Sequence, residues 1–158
     1  MLVRTLQRGD RQPIANILQA TNRFTPVEID VALELIDMYL NQPQQKDYRL
    51  FSAVDDSHRV AGYVCYGPTP MTQGTYDLYW IAVDPERQRQ GVGDLLLAFV
   101  ESEARHEQGR LMMIETSSQP NYLPTHHFYL KNRYREIARI PDFYAVGDDR
   151  VIYCKRLR

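Results

Sequence analysis

Apolar residues recur along this chain in two rhythms, helical at the start and strand-like from about residue 48 onward. Residues 3–6 read as a short strand. Asp10 then stands as an N-cap before a helix whose Ile14, Ile17 and Leu18 share one face. A second helix carries a fuller start signal. Thr25 is its N-cap, Pro26 its first residue, and Glu28 completes a Thr-x-x-Glu capping box. Ile29, Leu33, Ile36 and Leu40 follow as its apolar stripe.

Residues 48–54 and 60–66 then read as two strands about the turn Asp55-Asp56-Ser57, an antiparallel hairpin. A further strand spans residues 76–83 and stops at Asp84-Pro85. The next helix covers residues 91–107, with Leu95, Leu96, Phe99 and Val100 facing inward and Gly109 ending it. Residues 111–116 are apolar in the manner of a strand buried on both faces beside a parallel neighbour. A shorter helix over 124–132 and strands at 135–140 and 151–155 close the series. The strand–helix–strand unit over 76–116 pairs its strands in parallel. No repeat, low-complexity tract or linker interrupts the pattern, so one domain is expected over residues 1–158.

Composition changes this picture little. At 158 residues the chain can bury roughly 70% of its unfolded surface without metal or disulfide staples. Nineteen basic and twenty acidic residues leave a net charge of -1. That balance removes the general electrostatic drive toward nucleic acid. Cys65 and Cys154 lie in apolar runs without metal-site spacing and read as small buried hydrophobes in a reduced compartment. The opening Met1-Leu2-Val3-Arg4 is too short an apolar run for a signal peptide. No stretch approaches bilayer length. A cytoplasmic protein with no membrane partner and no metal is expected, and a homodimer is compatible with these features.

One segment carries chemistry. After the strand ending at Asp84-Pro85, the loop Gln88-Arg89-Gln90-Gly91-Val92-Gly93 feeds a helix start. A helix N-terminus leaves backbone N–H groups unpaired and carries partial positive charge. Glycines there let an anion approach without a Cβ in the way. The same two glycines can equally ease a tight turn and do nothing more. A dinucleotide fingerprint needs a glycine or small residue where Leu96 stands, and a P-loop needs Gly-Lys-Ser/Thr where Gly93-Asp94-Leu95 stands.

This loop resembles the Gln/Arg-x-x-Gly-x-Gly/Ala signature of the GNAT superfamily of acyl-CoA N-acyltransferases. Leu78-Tyr79-Trp80-Ile81-Ala82-Val83 is similar to that family's fourth strand, and Phe128-Tyr129-Leu130-Lys131-Asn132-Arg133-Tyr134 to its Phe-Tyr-x-x-x-Gly-Phe segment. Three signatures in order make the likeness specific over about residues 77–134. The resemblance implies an α/β (mixed α+β) single domain. Its central sheet of about six to seven strands is mixed but mostly antiparallel, flanked by about four helices, with strands four and five splayed.

The resemblance also implies roles. Acetyl-CoA is the co-substrate and a primary amine the acceptor. Backbone amides of Arg89, Gln90, Gly91, Val92 and Gly93 cradle the pyrophosphate, with Gln88 and Arg89 either adding side-chain contacts or solvated. Main-chain groups of Ile81 and Val83, flanking Ala82, pair with the pantetheine arm, and an exposed N–H polarises the thioester carbonyl. Tyr129 matches the tyrosine that returns a proton to the leaving thiolate; ordinary aromatic packing beside Phe128 is the plainer account. Asp77 and Glu115 are candidate bases, directly or through water. Asn121 either touches pantetheine or caps the following helix. Of His126 and His127, one packed and one exposed is the usual arrangement. Phe24, Tyr39, Asp142, Phe143 and Tyr144 are the acceptor-facing candidates, with residues 141–144 in the loop between the last two strands. Arg133 stands where the family has glycine, and Asp94 is read as pointing away from the phosphate. A non-catalytic acyl-CoA sensor is the alternative function.

Overall fold

A computed structural model describes residues 1–158, and its spine is one seven-stranded sheet in the order β1-β2-β3-β4-β5-β7-β6. The strands are β1 (Leu2–Thr5), β2 (Arg49–Val54), β3 (Val60–Pro68), β4 (Thr75–Val83), β5 (Leu111–Ser117), β6 (Arg135–Ala145) and β7 (Asp148–Arg156). Helices α1 (Arg11–Ala20), α2 (Pro26–Asn41), α3 (Val92–His106) and α4 (Leu123–Lys131) flank it. Every pairing is antiparallel except β4 with β5, the pair joined by the α3 crossover.

The period-2 alternation of strands sorts the core into two halves. On β3, Tyr63 and Cys65 point to one face and pack with Ile14, Ile17 and Leu18 of α1 and Ile29 and Ile36 of α2. Val64 and Tyr66 point to the other and meet Leu96, Leu97 and Val100 of α3. Each such side chain contributes about 1.5–3 kcal/mol by leaving water. Cys65 is fully buried as a free thiol, and burial pushes its pKa up; Cys154 is half-buried.

The capping box at α2 forms as the sequence implies. Glu28 N–H donates to Thr25 Oγ1 at 3.2 Å, and Thr25 N–H donates to Glu28 Oε2 at 2.6 Å. Asp10 does something other than cap α1. Its carboxylate turns inward, accepting from Arg4 at 2.7 and 2.9 Å, from Gln7 N–H at 2.9 Å and from Ser52 Oγ at 2.9 Å. Burial raises its pKa, but these donors outweigh burial and leave the carboxyl below its ordinary range. Leu95, expected inside, is 38% exposed because the buried face of α3 runs through Val92, Leu96, Val100 and Ala104.

At the end of α4, Tyr134 N–H donates to Tyr129 O and Arg133 N–H to Leu130 O, both at 3.0 Å. This is a Schellman ending, and Arg133 occupies its left-handed position at φ 68. The arginine therefore adopts the geometry that glycine favours. The segment 141–144, expected as a loop, belongs to β6. β6 is an edge strand, where proline needs no ladder partner, and its register breaks between Ile140 and Ala145. The turn itself falls at Val146 and Gly147.

Candidate active site

Strands β4 and β5 pair only from Thr75–Leu111 to Leu78–Ile114 and then part. The parting has a visible cause. Cys65 pairs with Trp80 and Tyr66 with Leu78, which makes Tyr79 an extra residue, a bulge that bends β4 at the last shared pair. The slot above it opens into a cleft of about 1010 Å³ lined by both free strand ends, the loop before α3, and α4.

On the β4 side the free edge is polar. Asp84 N–H donates to Ala61 O at 2.9 Å, toward β3. Antiparallel strands alternate the edge to which each residue presents its N–H and C=O, so Ala82 also faces β3 while Ile81 and Val83 face the slot. The splayed strands thus supply unpaired main-chain groups along one wall.

At the far end lies the Gly-x-Gly loop. A 3-10 turn, Pro85–Arg87, is tied down by Asp84, whose carboxylate accepts from Glu86 N–H at 3.0 Å, and by Arg87, which donates to Asp55 at 2.9 Å. The ladder of α3 starts with Leu95 N–H on Gly91 O at 2.9 Å, and no N–H of residues 89–94 finds an acceptor in the protein. Arg89 and Gly91 are left-handed at φ 61 and φ 80, so the loop is a concave run of donors rather than a plain helix start. Gly91 is required by that backbone angle, since a Cβ there meets nothing within 4 Å. Gly93 is favoured by space: a Cβ there would lie 3.2 Å from the Phe128 ring of α4, which would have to shift by a few tenths of an ångström to admit it. Asp94 is held away by Lys131 at 2.8 Å and Asn132 at 2.9 Å, and those two hydrogen bonds keep its carboxyl below the ordinary range.

Tyr129 is 4% exposed yet lines the cleft. Its ring touches Phe128, Tyr134 and Tyr153 at centroid distances of 5.4, 5.9 and 5.7 Å. Burial is the main influence on the hydroxyl, pushing its pKa well up, and no hydrogen bond perturbs it. The group is a neutral, protonated phenol without a partner in the protein.

The other candidate residues divide. Ile81, Ala82, Val83, Gln88, Arg89, Gly91, Val92, Gly93, Asn121, Glu115, Phe24 and Tyr144 line the cleft with Tyr129. Asn121 does not cap α4, which begins without a side-chain cap. Gln90 does not line the cleft; its amide folds back to Glu86 O at 3.1 Å. Asp77 also lies outside, in the paired part of β4, accepting from Thr69 Oγ1 at 2.6 Å. Tyr39 lines a separate small depression beside Tyr48 and Arg49. Asp142 closes its own turn by accepting Gly147 N–H at 2.7 Å, and Phe143 lies under the Arg150 guanidinium at 4.8 Å. Glu115 is paired with Arg150.

Several cleft residues had no separate signal in the chain. Arg23 crosses from the α1–α2 connection to donate to Thr125 Oγ1 on α4 at 3.0 Å. Trp80 stacks edge-on against Phe24 at 5.2 Å. Glu28 lines the cleft while serving its capping box, and Asp148 does so while accepting from Ser117 Oγ at 2.5 Å. Thr116 Oγ1 is buried at the cleft wall with no partner. A capping motif accounts for Glu28 in sequence and so conceals its second position.

A splayed parallel pair, a donor-lined loop between them and α3, and a buried phenol on α4 together define a coenzyme A-type acyltransferase architecture. The chain matches the acetyltransferase (GNAT) family over residues 14–133 and belongs to that family. A GNAT-family protein of known structure from Desulfovibrio desulfuricans is 42% identical, with 99% of each chain covered and a TM-score of 0.95. An aminoglycoside 6'-N-acetyltransferase solved with coenzyme A shares the fold at 16% identity, covering 100% of this chain and 98% of its own, with a TM-score of 0.78. A ribosomal-protein-alanine N-acetyltransferase from Escherichia coli does so at 19% identity, covering 99% and 93%, with a TM-score of 0.76. Comparison with curated proteins by sequence gave no match. No helix is long and apolar enough to cross a membrane.

Proposed function

We propose that this protein transfers an acetyl group from acetyl-CoA to a primary amine by direct attack. The observation that carries the reading is the unbroken run of unpaired N–H groups over residues 89–94 at the mouth of a slot between parted strands. The loop binds the pyrophosphate, and the slot-facing groups of Ile81 and Val83 hold the pantetheine arm as an added strand. The related aminoglycoside enzyme, solved with coenzyme A, supports the same co-substrate.

The neutral amine attacks the thioester carbon, and the oxygen's growing charge is met by a free main-chain N–H of β4. The C–S bond then breaks, the thiolate takes a proton from Tyr129, and the phenolate recovers one from water. The proton lost by the amine passes through water to Glu115, which lines the cleft just beyond the last β4–β5 pair. Asp77, in the paired part of β4 and outside the cleft lining, is the weaker candidate for this role.

The two fold relatives act on an aminoglycoside and on a protein alanine, so the shared fold does not set the acceptor. At the acceptor end, Phe24, Trp80, Tyr122 and Tyr144 form aromatic walls beside Glu28 and Asp148. Burial, with the charges of Glu28 and Asp148 adding, raises Tyr122 to about 12 and Tyr144 also upward; both hydroxyls stay neutral donors. Aromatic faces with carboxylates suit a small cationic amine.

Thiol release from acetyl-CoA across a panel of amines tests this. Release that depends on an amine is the expected result, and Tyr129→Phe should lower turnover roughly 10- to 1000-fold with acetyl-CoA affinity unchanged. Tight acetyl-CoA binding with no thiol release for any amine points instead to the sensor function.

A further inference from the structure

His126 is held at both ring nitrogens. Nε2 lies 2.8 Å from the Ser117 carbonyl oxygen, and Nδ1 lies 2.5 Å from the Tyr153 hydroxyl. A carbonyl oxygen only accepts, so Nε2 carries the proton. In the neutral ring Nδ1 then offers a lone pair to which the Tyr153 hydroxyl donates. A single neutral tautomer satisfies both contacts.

The ring thereby joins three elements. His126 is on α4, three residues ahead of Tyr129 and on the same side of the helix. Ser117 is the last residue of β5, beyond the point where β4 departs. Tyr153 is on β7, packed edge-on to His126 at 5.5 Å and against Tyr129 at 5.7 Å. Nothing in the protein bonds the Tyr129 hydroxyl, so its direction depends on what fixes its ring. Tyr153 is one of those supports, and its own hydroxyl is fixed by His126, which is fixed to the splayed strand.

We infer that His126 is a positioning residue for acetyl transfer, bridging Ser117 and Tyr153 so that the Tyr129 hydroxyl is held at the open end of the β4–β5 slot. The inference rests on Tyr129 being the acid. It extends that role to two residues that never meet the substrate, because a displacement of about 1 Å in a reacting group can cost on the order of 100-fold in rate.

The test measures kcat and the KM for acetyl-CoA in His126→Leu and Tyr153→Phe, each alone and combined with Tyr129→Phe. Each single variant should lose about tenfold in kcat with KM unchanged. In the Tyr129→Phe background neither should lose more, since the hydroxyl they aim is gone. His126→Gln, which keeps an amide donor and acceptor at that place, should recover part of the loss. Normal kcat in folded His126→Leu and Tyr153→Phe proteins, with Tyr129→Phe impaired, overturns the positioning role alone. An equal further loss in the Tyr129→Phe background also overturns it, because the effect then does not pass through Tyr129. Full turnover in Tyr129→Phe removes the acid assignment and the positioning role with it. If His126→Leu does not fold, Tyr153→Phe decides, as it deletes one oxygen and keeps the ring.

Discussion

Asp77 and Glu115 are carboxylates on neighbouring strands, and the point where those strands part separates them. Asp77 pairs with Met113 below the split, whereas Glu115 follows Ile114, the last shared pair. Only Glu115 lines the cleft. If Glu115 accepts the amine's proton, Glu115→Gln should cut activity most at low pH, where little free amine exists. Raising the pH should restore part of it by supplying amine already deprotonated in solution. Asp77→Asn should show no such pH-dependent rescue and should cost no more than about 1 kcal/mol, since Asn keeps an oxygen that accepts from Thr69 Oγ1 and only the carboxylate charge is lost. A pH–rate profile of both variants beside the parent checks this; a rescued defect in Asp77→Asn instead would reverse the assignment. Tyr129 does not complicate the profile near neutrality, because burial keeps its hydroxyl protonated there.

Two elements owe their form to left-handed backbone. In the loop before α3, Gly91→Val places a β-branched residue at φ 80, a conformation such residues almost never adopt. The loop then rearranges and its N–H groups turn from the phosphate, so acetyl-CoA affinity should fall at least tenfold, or about 1.4 kcal/mol. Titration of acetyl-CoA against the folded variant measures this. Space around a Cβ at this position is not the obstacle; the backbone angle is. At the end of α4 the opposite substitution applies. Arg133→Gly relieves a left-handed arginine in the Schellman ending, partly offset by glycine's greater freedom when unfolded. A gain of up to about 1 kcal/mol in denaturant unfolding is expected, with turnover little changed.

Across the whole molecule, the sheet separates two cores, one under α1 and α2 and one under α3 and α4, and the slot is cut between β4 and β5 where α3 leaves. A ligand filling that slot ties both halves of the sheet together. Acetyl-CoA at 100 times its dissociation constant should therefore stabilise the fold by about 2.7 kcal/mol. ATP and NAD, which lack the pantetheine arm, should stabilise it far less at equal concentration. Thermal unfolding with the three ligands in parallel reads this directly, and equal shifts would count against the pantetheine slot.

Local patterns settled what depends on neighbours in the chain. The Thr25–Glu28 box, the alternation that divides Tyr63 and Cys65 from Val64 and Tyr66, and the glycine-bearing start of α3 all rest on spacings of a few residues. These are also the features whose physics is short-ranged: caps, pleats and backbone angles. What required the folded molecule was every decision made by a distant partner. Asp10 reads as a cap until Arg4 and Ser52 claim its carboxylate. Asp77 and Glu115 read alike as carboxylates on neighbouring strands until the register places Asp77 below the bulge at Tyr79 and Glu115 beyond the last shared pair. Residues 141–144 read as a loop, yet they continue β6, an edge strand that absorbs Pro141. Arg23, Asp148 and His126 carry no motif and enter the cleft or its support only through contacts that span connections, strands and helices. Sequence periodicity narrows which face a residue occupies; only packing determines which other residue waits there.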